Sequence, residues 1–329
     1  MQLDLPTERK VCLVGAGDAA RLLCKHLLRS SVDLSIITNF ELDSSWSSTV
    51  GTPLCSHPVM TKSVNPGEKD ELKVAVAELM PTIIVVAGWP AFVGASIRDS
   101  VGGRIFNYHP SELPVLRGAA TASWAVMCGT SRVGVSIHQL TGKLDAGPLL
   151  IQYTRDVGRE VETPIEYLDV AYQIANQIVF PEFAGMLASH KFVTLRPQEE
   201  AKGVYFPALL TPMNGVLQFS WSPAETVRFV RAFSAPYPGA ALHYRGEVYR
   251  IREAAMAEGF LKGHPFVDGL ISNRDQRTLY VHVRGGIVAF GSITDSQGQD
   301  ISPKDVFRIG DRLVQPPEIV ARSLSYRST

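Results

Sequence analysis

The chain has 329 residues, of which 45% are hydrophobic and 19% are charged. This composition predicts two ordinary globular domains with their own cores and leaves little room for disorder. The 32 Lys and Arg residues balance the 32 Asp and Glu residues, so no net charge draws the protein to nucleic acid or to an anionic membrane.

The N-terminus and the cysteines predict a cytoplasmic protein. The first ten residues lack the apolar stretch of a secretory signal. The most apolar run, residues 83–95, is too short to span a bilayer and contains Pro90. Four cysteines without CxxC spacing favour free thiols over a zinc site, and we expect no metal ion: Cys12, Cys24, Cys55 and Cys128.

The beginning of the chain predicts a parallel α/β domain. An apolar strand over 11–14 ends at Gly15 and Gly17, and helical spacing follows over 18–28. Such a glycine string also occurs in dinucleotide-binding domains. However, the next strand, 34–38, does not end at the acidic residue that would hold a ribose hydroxyl. We therefore favour a glycine turn that lets strand and helix pack closely.

The next segment predicts one long loop and two regular elements. Residues 39–66 are rich in Ser, Thr, Pro and Gly, which predicts a loop with a short strand near Leu54. A helix is predicted over 70–79. The β-branched run at 83–86 predicts a strand buried on both faces. Residues 88–93 follow that strand at its carboxyl end, where open α/β sheets bind ligands.

The most informative stretch begins with a short strand that ends in polar residues. Asn107 and His109 lie two residues apart and therefore point to one face, while Tyr108 points to the other. Pro110 then ends the ladder pairing. A carboxamide and an imidazole thus meet at the carboxyl end of a strand.

A carboxylate follows further along the chain. A second strand is predicted over 133–140, and the loop over 142–148 carries Asp145. An amide donor, an imidazole and a carboxylate suit acyl transfer to a nitrogen atom. His138 shares a strand face with Ser136, and we expect it to be structural.

The rest of the chain predicts a long helix and then a β domain. The helix begins with Thr163 as N-cap and runs to about residue 189, with Pro181 as a candidate break. From residue 216, short alternating runs with turns at Arg245-Gly246 and Gly285-Gly286 predict an antiparallel sheet. The predicted organisation is a catalytic domain, a linker and a C-terminal domain over residues 1–197, 198–215 and 216–329.

Several separated motifs resemble those of the folate-dependent formyltransferases. They occur in the family's order and spacing: Asn107-x-His109-Pro110-Ser111-x-Leu113-Pro114-x-x-Arg117-Gly118, Gly134-Val-Ser-Ile-His138 and Leu144-Asp145-Ala-Gly147-Pro148. This family includes methionyl-tRNA formyltransferase, glycinamide ribonucleotide transformylase, N-formyltransferases of amino sugars and of hydroxyornithine, and a formyltetrahydrofolate hydrolase domain. The string from Trp221 to Ala240 resembles the C-terminal domain of the longer members, so the short purine enzymes are not the closest relatives.

The resemblance implies an α/β fold with a Rossmann-like parallel sheet and helices on both faces, followed by a small antiparallel β-barrel similar to an OB fold. It implies 10-formyltetrahydrofolate as the formyl donor. The implied residues are Asn107, His109 and Asp145 for catalysis, Gly88, Trp89, Pro90, Phe92, Leu140, Gly142 and Leu144 for the folate, and Ser111, Arg117 and Gly118 for the substrate. Trp89 also suits a core, Ser111 a turn, and Arg117 a structural loop.

The resemblance also implies roles for the catalytic residues. Asn107 would donate a hydrogen bond to the carbonyl oxygen as that oxygen gains charge, which is worth roughly two to three orders of magnitude in rate. His109 would accept a proton from the amine or, when protonated, stabilise the oxygen. Asp145 would hold the imidazole and raise its pKa, or relay a proton through water. The sequence leaves these routes open.

The expected acceptor is a small amine, either a nucleotide-linked amino sugar or a hydroxyornithine-type amine. Methionyl-tRNA formyltransferases usually carry Tyr-Gly where this chain has Gly88-Trp89, and a basic loop where residues 39–48 carry Glu41 and Asp43 and no base. We therefore expect no nucleic acid partner and no membrane partner. A local basic patch weakens this expectation: Arg245, Arg250 and Arg252.

Three alternatives remain at this point: methionyl-tRNA as the acceptor, a hydrolase that releases formate, and an NAD-dependent or non-catalytic protein with a Rossmann-like domain. The sequence leaves the oligomeric state open, a homodimer included.

Overall fold

A computed structural model of the chain describes residues 1–39, 46, 59–158, 161–259 and 263–325. The chain divides into two compact units whose segments interleave along the sequence. The first comprises Met1–Arg117, Val133–Arg155 and Val170–Tyr205, and the second Gly118–Arg132, Asp156–Asp169 and Phe206–Thr329. The sequence predicts contiguous domains instead, because no compositional signal marks the two internal segments that group with the C-terminal part.

The elements up to residue 206 alternate between strands and helices. The strands are β1 (Gln2–Asp4), β2 (Lys10–Gly15), β3 (Asp33–Thr38), β4 (Met60–Ser63), β5 (Ile83–Ala87), β6 (Ile105–His109), β7 (Arg117–Gly118), β8 (Arg132–Gln139), β9 (Leu149–Asp156), β10 (Phe192–Thr194) and β11 (Tyr205–Phe206). The helices are α1 (Gly17–Leu28), α2 (Lys69–Leu79), α3 (Ala95–Ser100), α4 (Thr121–Cys128), α5 (Pro164–Ile174) and α6 (Phe180–Ser189).

In the described part of the first unit, seven strands form one sheet in the order β4-β3-β2-β5-β6-β8-β9. The strands from β4 to β6 in this order pair in parallel, and β8 pairs antiparallel to β6. Strand β1 pairs separately with β10. A parallel sheet that grows outward from β2 is the Rossmann-like arrangement. The predicted fold class is confirmed.

Helices cover both faces of this sheet: successive side chains of β2 and β5 point to alternate faces, and almost all of them are buried. On one face, Val14 packs in a cluster that includes Val76 of α2 and Ile97 of α3. On the other face, the ring of Phe106 meets the ring of Phe183 of α6 edge to face, with 5.7 Å between centroids. Because both faces of the central strands are buried, the strand ends are the part of the sheet left open for chemistry.

Close packing explains the glycine turn after β2. A Cβ atom at Gly15 would overlap the carbonyl oxygen of Ala87 and come within 2.9 Å of the Cβ atom of Ala20. The amide of Ala16 donates a hydrogen bond to the same carbonyl at 3.1 Å. The approach of β2 to β5 thus requires glycine without any dinucleotide.

The predicted long helix is present, with a modification at its centre. Thr163 and Glu166 cap its start, since the Glu166 carboxylate accepts the Thr163 N–H at 2.9 Å. A π-helical turn, Ala175–Val179, joins α5 to α6 immediately before Pro181. Proline lacks an N–H group, and the wider turn accommodates it without ending the helix.

The second unit contains an antiparallel sheet. Its further elements are α7 (Thr211–Asn214), α8 (Pro223–Ala232), β12 (Ala240–Tyr244), β13 (Glu247–Met256), β14 (Ile271–Arg274), β15 (Leu279–Val283), β16 (Gly286–Thr294), α9 (Pro303–Val306) and α10 (Pro317–Ser325). Among the residues placed by the structure, five strands follow the order β12-β13-β16-β15-β14. The predicted C-terminal antiparallel sheet is confirmed.

The turn residues and the helix cap of this unit have the conformations that their residue types favour. Arg245 and Gly246 both have positive φ, 52° and 87°, as a two-residue type I′ hairpin requires. At the next hairpin Val283 pairs with Gly286, so the turn lies one residue earlier than predicted. Ser222 and Glu225 form a capping box at the start of α8.

Some predictions fall outside the described residues, namely the strand near Leu54 and the acidic loop with Glu41 and Asp43. Where the structure places helices, none is long and apolar enough to cross a membrane.

Candidate active site

Strand β6 delivers Asn107 and His109 to one face, as the alternation predicts. Tyr108 points to the opposite face, where its ring lies 5.1 Å from that of Phe180. Asn107 is half-buried, and His109 is only 5% exposed. The packing of Tyr108 therefore fixes the direction of the two polar side chains at the strand end.

His138 lies directly opposite Asn107 across the antiparallel pair of β6 and β8. Its Nδ1 atom lies 3.1 Å from the carbonyl oxygen of Gln139. Because a carbonyl oxygen can only accept a hydrogen bond, the neutral ring carries its proton on Nδ1. Its Nε2 atom then accepts a hydrogen bond from Nδ2 of Asn107 at 3.2 Å. This bond orients the carboxamide and leaves its second N–H group for a ligand.

The hydrogen bonds of His109 define which nitrogen can act as a base. Its Nε2 atom donates to the carbonyl oxygen of Leu116 at 2.8 Å. In the neutral ring the lone pair is therefore on Nδ1, which lies 3.9 Å from Oδ2 of Asp145. Burial lowers the pKa of His109, while the Asp145 carboxylate opposes this shift. The side chain is thus held neutral near pH 7.

Asp145 completes the cluster from the loop after β8. Its backbone has a φ of 46°, in the left-handed region, and its side chain is 5% exposed. Its Oδ1 atom lies 3.4 Å from Nε2 of His138. A Cβ atom at Gly147 would overlap the carbonyl oxygen of Gln139, so the loop returns tightly against the strand end. The three predicted catalytic residues are therefore brought together, with His138 between them.

Gln198 holds the Asp145 loop through its backbone. The Nε2 atom of Gln198 donates to the carbonyl oxygens of Asp145 and Gly147, both at 2.7 Å. Arg117 holds the other end of this amide, since its Nε and Nη2 atoms donate to Oε1 of Gln198 at 3.1 and 2.9 Å. Arg117 also forms a two-point ion pair with Glu200 at 3.1 and 2.9 Å. Hydrogen bonds engage every nitrogen of the guanidinium group.

The other residues predicted to bind substrate lie in the same segment. Ser111 is fully buried, and its hydroxyl donates to the carbonyl oxygen of Leu116 at 2.7 Å. Gly118 ends the two-residue strand β7 with a φ of 100°. The hydrogen bonds of Ser111 and Arg117 also agree with the structural roles in a turn and in a loop that the sequence offered as alternatives. Substrate contacts by Ser111, Arg117 and Gly118 stay predictions.

The predicted folate residues surround two loops of the first unit. Trp89 and Leu140 are partly buried against the same apolar cluster. Phe92 is 65% exposed and Leu144 48% exposed, which offers apolar surface to a ligand. Gly88, with a φ of 66°, and Pro90 are also exposed in the first loop, as is Gly142 in the second.

One buried polar atom in this region lacks a partner. The indole N–H of Trp89 is shielded from solvent and has no hydrogen-bond acceptor among the described residues. Arg98 connects the two loops, because its guanidinium stacks 5.5 Å from the Phe92 ring centroid and lies beside Gly142. A ligand with polar ring atoms and apolar faces would fit these loops.

Sequence reasoning missed two residues of this cluster. His138 was expected to be structural, and Gln198 falls in the expected linker. The shared face of Ser136 and His138 was a usable signal for His138 once antiparallel pairing with β6 is assumed. The described residues contain no group of three or more His, Cys, Asp or Glu side chains that could hold a metal ion.

Two sequence families match the chain. The formyl transferase family matches residues 41–182, and the formyl transferase C-terminal domain family matches residues 209–309. A methionyl-tRNA formyltransferase of Pseudothermotoga lettingae is 28% identical over 218 residues, which cover 65% of this chain and 68% of that protein.

Solved structures share the fold. An N-formyltransferase from Helicobacter canadensis, in complex with folinic acid and dTDP-3-aminofucose, has a TM-score of 0.64 at 15% identity and covers 86% of this chain and 98% of its own. A sugar 3N-formyl transferase with dTDP and 5-N-formyl-THF has a TM-score of 0.62 at 14% identity, over 88% and 99% of the two chains. At these identities the likeness concerns the fold.

Proposed function

The chain is an enzyme of the formyl transferase family, and from this premise we propose that it moves the formyl group of 10-formyltetrahydrofolate to the amine of a small molecule. The observation that carries the proposal is the buried cluster of Asn107, His109 and Asp145. The carboxamide of Asn107 contacts His138 at 3.2 Å, and the Asp145 carboxylate lies 3.4 Å from His138 and 3.9 Å from the neutral imidazole of His109.

The two loops beside the cluster fit a folate. The unpaired indole N–H of Trp89 can donate to a ring nitrogen or carbonyl of a pterin, and Leu140 provides an apolar wall. Phe92 and Leu144 can cover an aromatic linker. The bound folate supplies a formyl group activated on nitrogen. We propose Trp89, Phe92, Leu140 and Leu144 as the residues that hold it, with Gly88, Pro90 and Gly142 shaping the loops.

Asn107 stabilises charge on the reacting oxygen. One of its amide hydrogens is held by His138, so the other points in a defined direction before any ligand binds. A prepositioned donor of this kind accelerates acyl transfer by roughly 10²–10³-fold. No reorganisation of the carboxamide is needed as the charge develops.

His109 accepts the proton that the attacking amine loses. Its Nε2–H bond to the Leu116 carbonyl leaves Nδ1 as the basic atom. Because burial lowers the pKa of His109, the ring enters the reaction neutral. Proton acceptance by a positioned base contributes roughly 10²–10⁴-fold.

Asp145 compensates the charge that His109 gains. Its carboxylate lies on the Nδ1 side of the ring at 3.9 Å, which a small movement or one water molecule would bridge. The attraction between the carboxylate and the imidazolium raises the pKa of His109 during the reaction. Gln198 keeps the carboxylate in place through the loop backbone.

The neutral formal charge of the chain supports a small acceptor. A tRNA ligand would be held through several phosphates by Lys and Arg side chains. Here 32 basic residues are balanced by 32 acidic ones, and Glu41 and Asp43 follow the second sheet strand in sequence. A nucleotide-linked amino sugar or a hydroxyornithine-type amine is the acceptor that we propose.

Methionyl-tRNA is the second candidate acceptor. It is favoured by relatives named methionyl-tRNA formyltransferase, such as the Pseudothermotoga lettingae protein and a Syntrophus aciditrophicus protein with 27% identity over 244 residues. Both the N-terminal and the C-terminal family matches extend along this chain, so overall architecture does not separate the candidates.

A direct assay separates the candidates. Enzyme and 10-formyltetrahydrofolate are incubated with a panel of nucleotide-linked amino sugars, hydroxyornithine and charged initiator tRNA, and formylated products are measured by mass spectrometry. His109→Ala serves as the inactive control. Formylation of a small amine, insensitive to moderate salt, supports the proposal. Efficient tRNA formylation that falls steeply with salt contradicts it in favour of the second candidate. Acceptor-independent formate release would identify a hydrolase instead.

A further inference from the structure

A basic cavity lies in the second unit, outside the cluster described above. It forms on the outer face of the β12–β13 hairpin, where Ala241 pairs with Arg250 and His243 with Val248. Directly opposed residues share a face in an antiparallel pair, so these four side chains project together. The intervening Leu242 is fully buried in the core on the other face.

Two helices close this face into a cavity. Pro212 and Met213 of α7 form one wall, and Ile319 and Arg322 of α10 form another. The helices are tied together by Asn214, whose Nδ2 atom donates to the carbonyl oxygen of Ser323 at 2.8 Å. The cavity volume is about 200 Å³. Since a water molecule occupies about 30 Å³ in the liquid, there is room for a group larger than water.

The polar lining of the cavity is basic. Arg250 and His243 enter from the sheet and Arg322 from α10, and none of the described residues that line the cavity is acidic. The Nη1 atom of Arg250 is buried and has no hydrogen-bond partner within the described residues. Beside it, Gln315 accepts the backbone N–H of His243 at 3.2 Å.

Gln315 adds a second unsatisfied donor. Its side chain is 8% exposed, and its Nε2 atom also lacks a partner among the residues that the structure places. Because Oε1 of the same amide touches the His243 backbone, Nε2 lies next to the hairpin that lines the cavity. Buried donors without acceptors cost free energy unless an acceptor binds.

Two neighbouring arginines differ from Arg250 in that one has an acidic partner and the other is exposed to solvent. Arg245, in the turn of the same hairpin, pairs with Asp311 at 2.8 Å. Arg252, two residues after Arg250, is exposed to solvent. Arg250 alone of these three is partly buried without a described acid beside it, and partial burial lowers its pKa and that of His243. A bound anion would supply the counter-charge that this partly buried cation lacks among the described residues.

We propose that this cavity is a binding site for a phosphoryl group, held by Arg250, His243 and Arg322. Guanidinium groups bind phosphate oxygens through two parallel hydrogen bonds, and Arg is the residue best suited to such recognition. Donors that approach from the sheet and from α10 suit the tetrahedral arrangement of oxygens. The site lies in the second unit and does not depend on the acceptor proposed above.

The test uses the full chain and inorganic phosphate. Isothermal titration calorimetry compares wild type with Arg250→Met and Arg322→Met, and Arg252→Met removes one positive charge from the same strand as a matched control. We expect both cavity variants to bind phosphate at least about tenfold more weakly, as the loss of a charged hydrogen-bonding group predicts. Arg252→Met should bind like wild type.

Thermal unfolding gives an independent measurement. Phosphate should raise the Tm of wild type and of Arg252→Met, because a ligand that binds only the folded state stabilises it. At the same phosphate concentration it should raise the Tm of Arg250→Met by clearly less. Arg250→Met should not unfold more readily than wild type in phosphate-free buffer, since it replaces a partly buried cation that has a shielded, unpaired Nη1 atom by an apolar chain.

Other outcomes would overturn the proposal. Wild type that gives no heat with millimolar phosphate, or equal affinity in all four proteins, would show that the cavity does not bind a phosphoryl group. If phosphate binds, competition identifies its source. Displacement by dTDP alone indicates a nucleotide ligand, and displacement by an RNA hairpin alone indicates a nucleic acid backbone; either supports the phosphoryl site.

Discussion

Replacing Gln198 by alanine tests whether the backbone of the Asp145 loop needs to be held for catalysis. The substitution removes two hydrogen bonds of 2.7 Å that Gln198 donates to the carbonyl oxygens of Asp145 and Gly147, and it also removes the Oε1 acceptor of Arg117. Arg117 keeps its ion pair with Glu200, so the change leaves the surrounding segment anchored. The effect on catalysis is therefore expected to come from the loop, whereas the loss of an acceptor for the buried Arg117 should lower the free energy of unfolding.

The magnitude follows from those two bonds. Each contributes about 0.5–1.5 kcal/mol net, and together they favour the held loop by about 1–3 kcal/mol. If the free loop places Asp145 away from His109, this corresponds to a loss of roughly 5- to 150-fold in the productive population. The upper end applies if the loop has no other support, but the turn between Thr141 and Lys143 remains. We expect kcat to fall roughly tenfold, with little change in KM for the folate.

The assay measures kcat and KM by following tetrahydrofolate release. Glu199→Ala is the matched control, because this neighbouring side chain is exposed and pairs only with Lys202 among the described residues. Gln198→Glu should be at least as impaired as Gln198→Ala, since a carboxylate offers Arg117 an acceptor but cannot donate to the loop. A folded Gln198→Ala enzyme with kcat within about twofold of wild type would refute the reasoning.

Four further predictions concern the same cluster. His109→Ala should lower kcat by at least ~10²-fold while the Tm stays near that of wild type; a folded variant with wild-type kcat would contradict the assigned role. Because burial lowers the pKa of His109, the acid limb of kcat/KM should lie below the ordinary histidine pKa; the check is a pH profile of kcat/KM, and an acid limb at or above that pKa would contradict it. Folding stability should also fall with decreasing pH, because the unfolded state takes up this proton first. Gly147→Ala should cost about 1–3 kcal/mol and reduce kcat, because its methyl group would overlap the Gln139 carbonyl; Gly185→Ala, with open space around it, is the control for thermal melts and kinetics.

Much of the site could be predicted because it depends on local rules. Period-two alternation places Asn107 and His109 on one face, and the buried ring of Tyr108 on the other confirms it. Asp145 sits in a glycine-flanked loop, where a residue with positive φ is expected. Both features are determined by a few residues adjacent in sequence, so they can be predicted from the sequence alone.

The remaining features depend on long-range pairing that local patterns do not encode. An alternating strand reads the same in either direction, so the sequence of β8 does not reveal that it runs antiparallel to β6. That direction is what sets His138 opposite Asn107. Gln198 follows Pro197 in a polar connection with no periodicity. Its contact with Asp145 spans 53 positions and exists only in the folded chain.

The geometry also narrows the proton routes that the sequence leaves open. His109 donates from Nε2 to a carbonyl that cannot donate in return, so only Nδ1 can accept a proton. Asp145 lies on that same side, nearer to His138 than to His109, at 3.4 Å against 3.9 Å. A carboxylate in this place stabilises a proton after it arrives on Nδ1. Since burial already favours the neutral ring, His109 is better suited to accept the amine proton than to begin as an imidazolium that stabilises the oxygen. In the proposed reaction, Asn107, oriented by His138, is then the group that we expect to stabilise the oxygen.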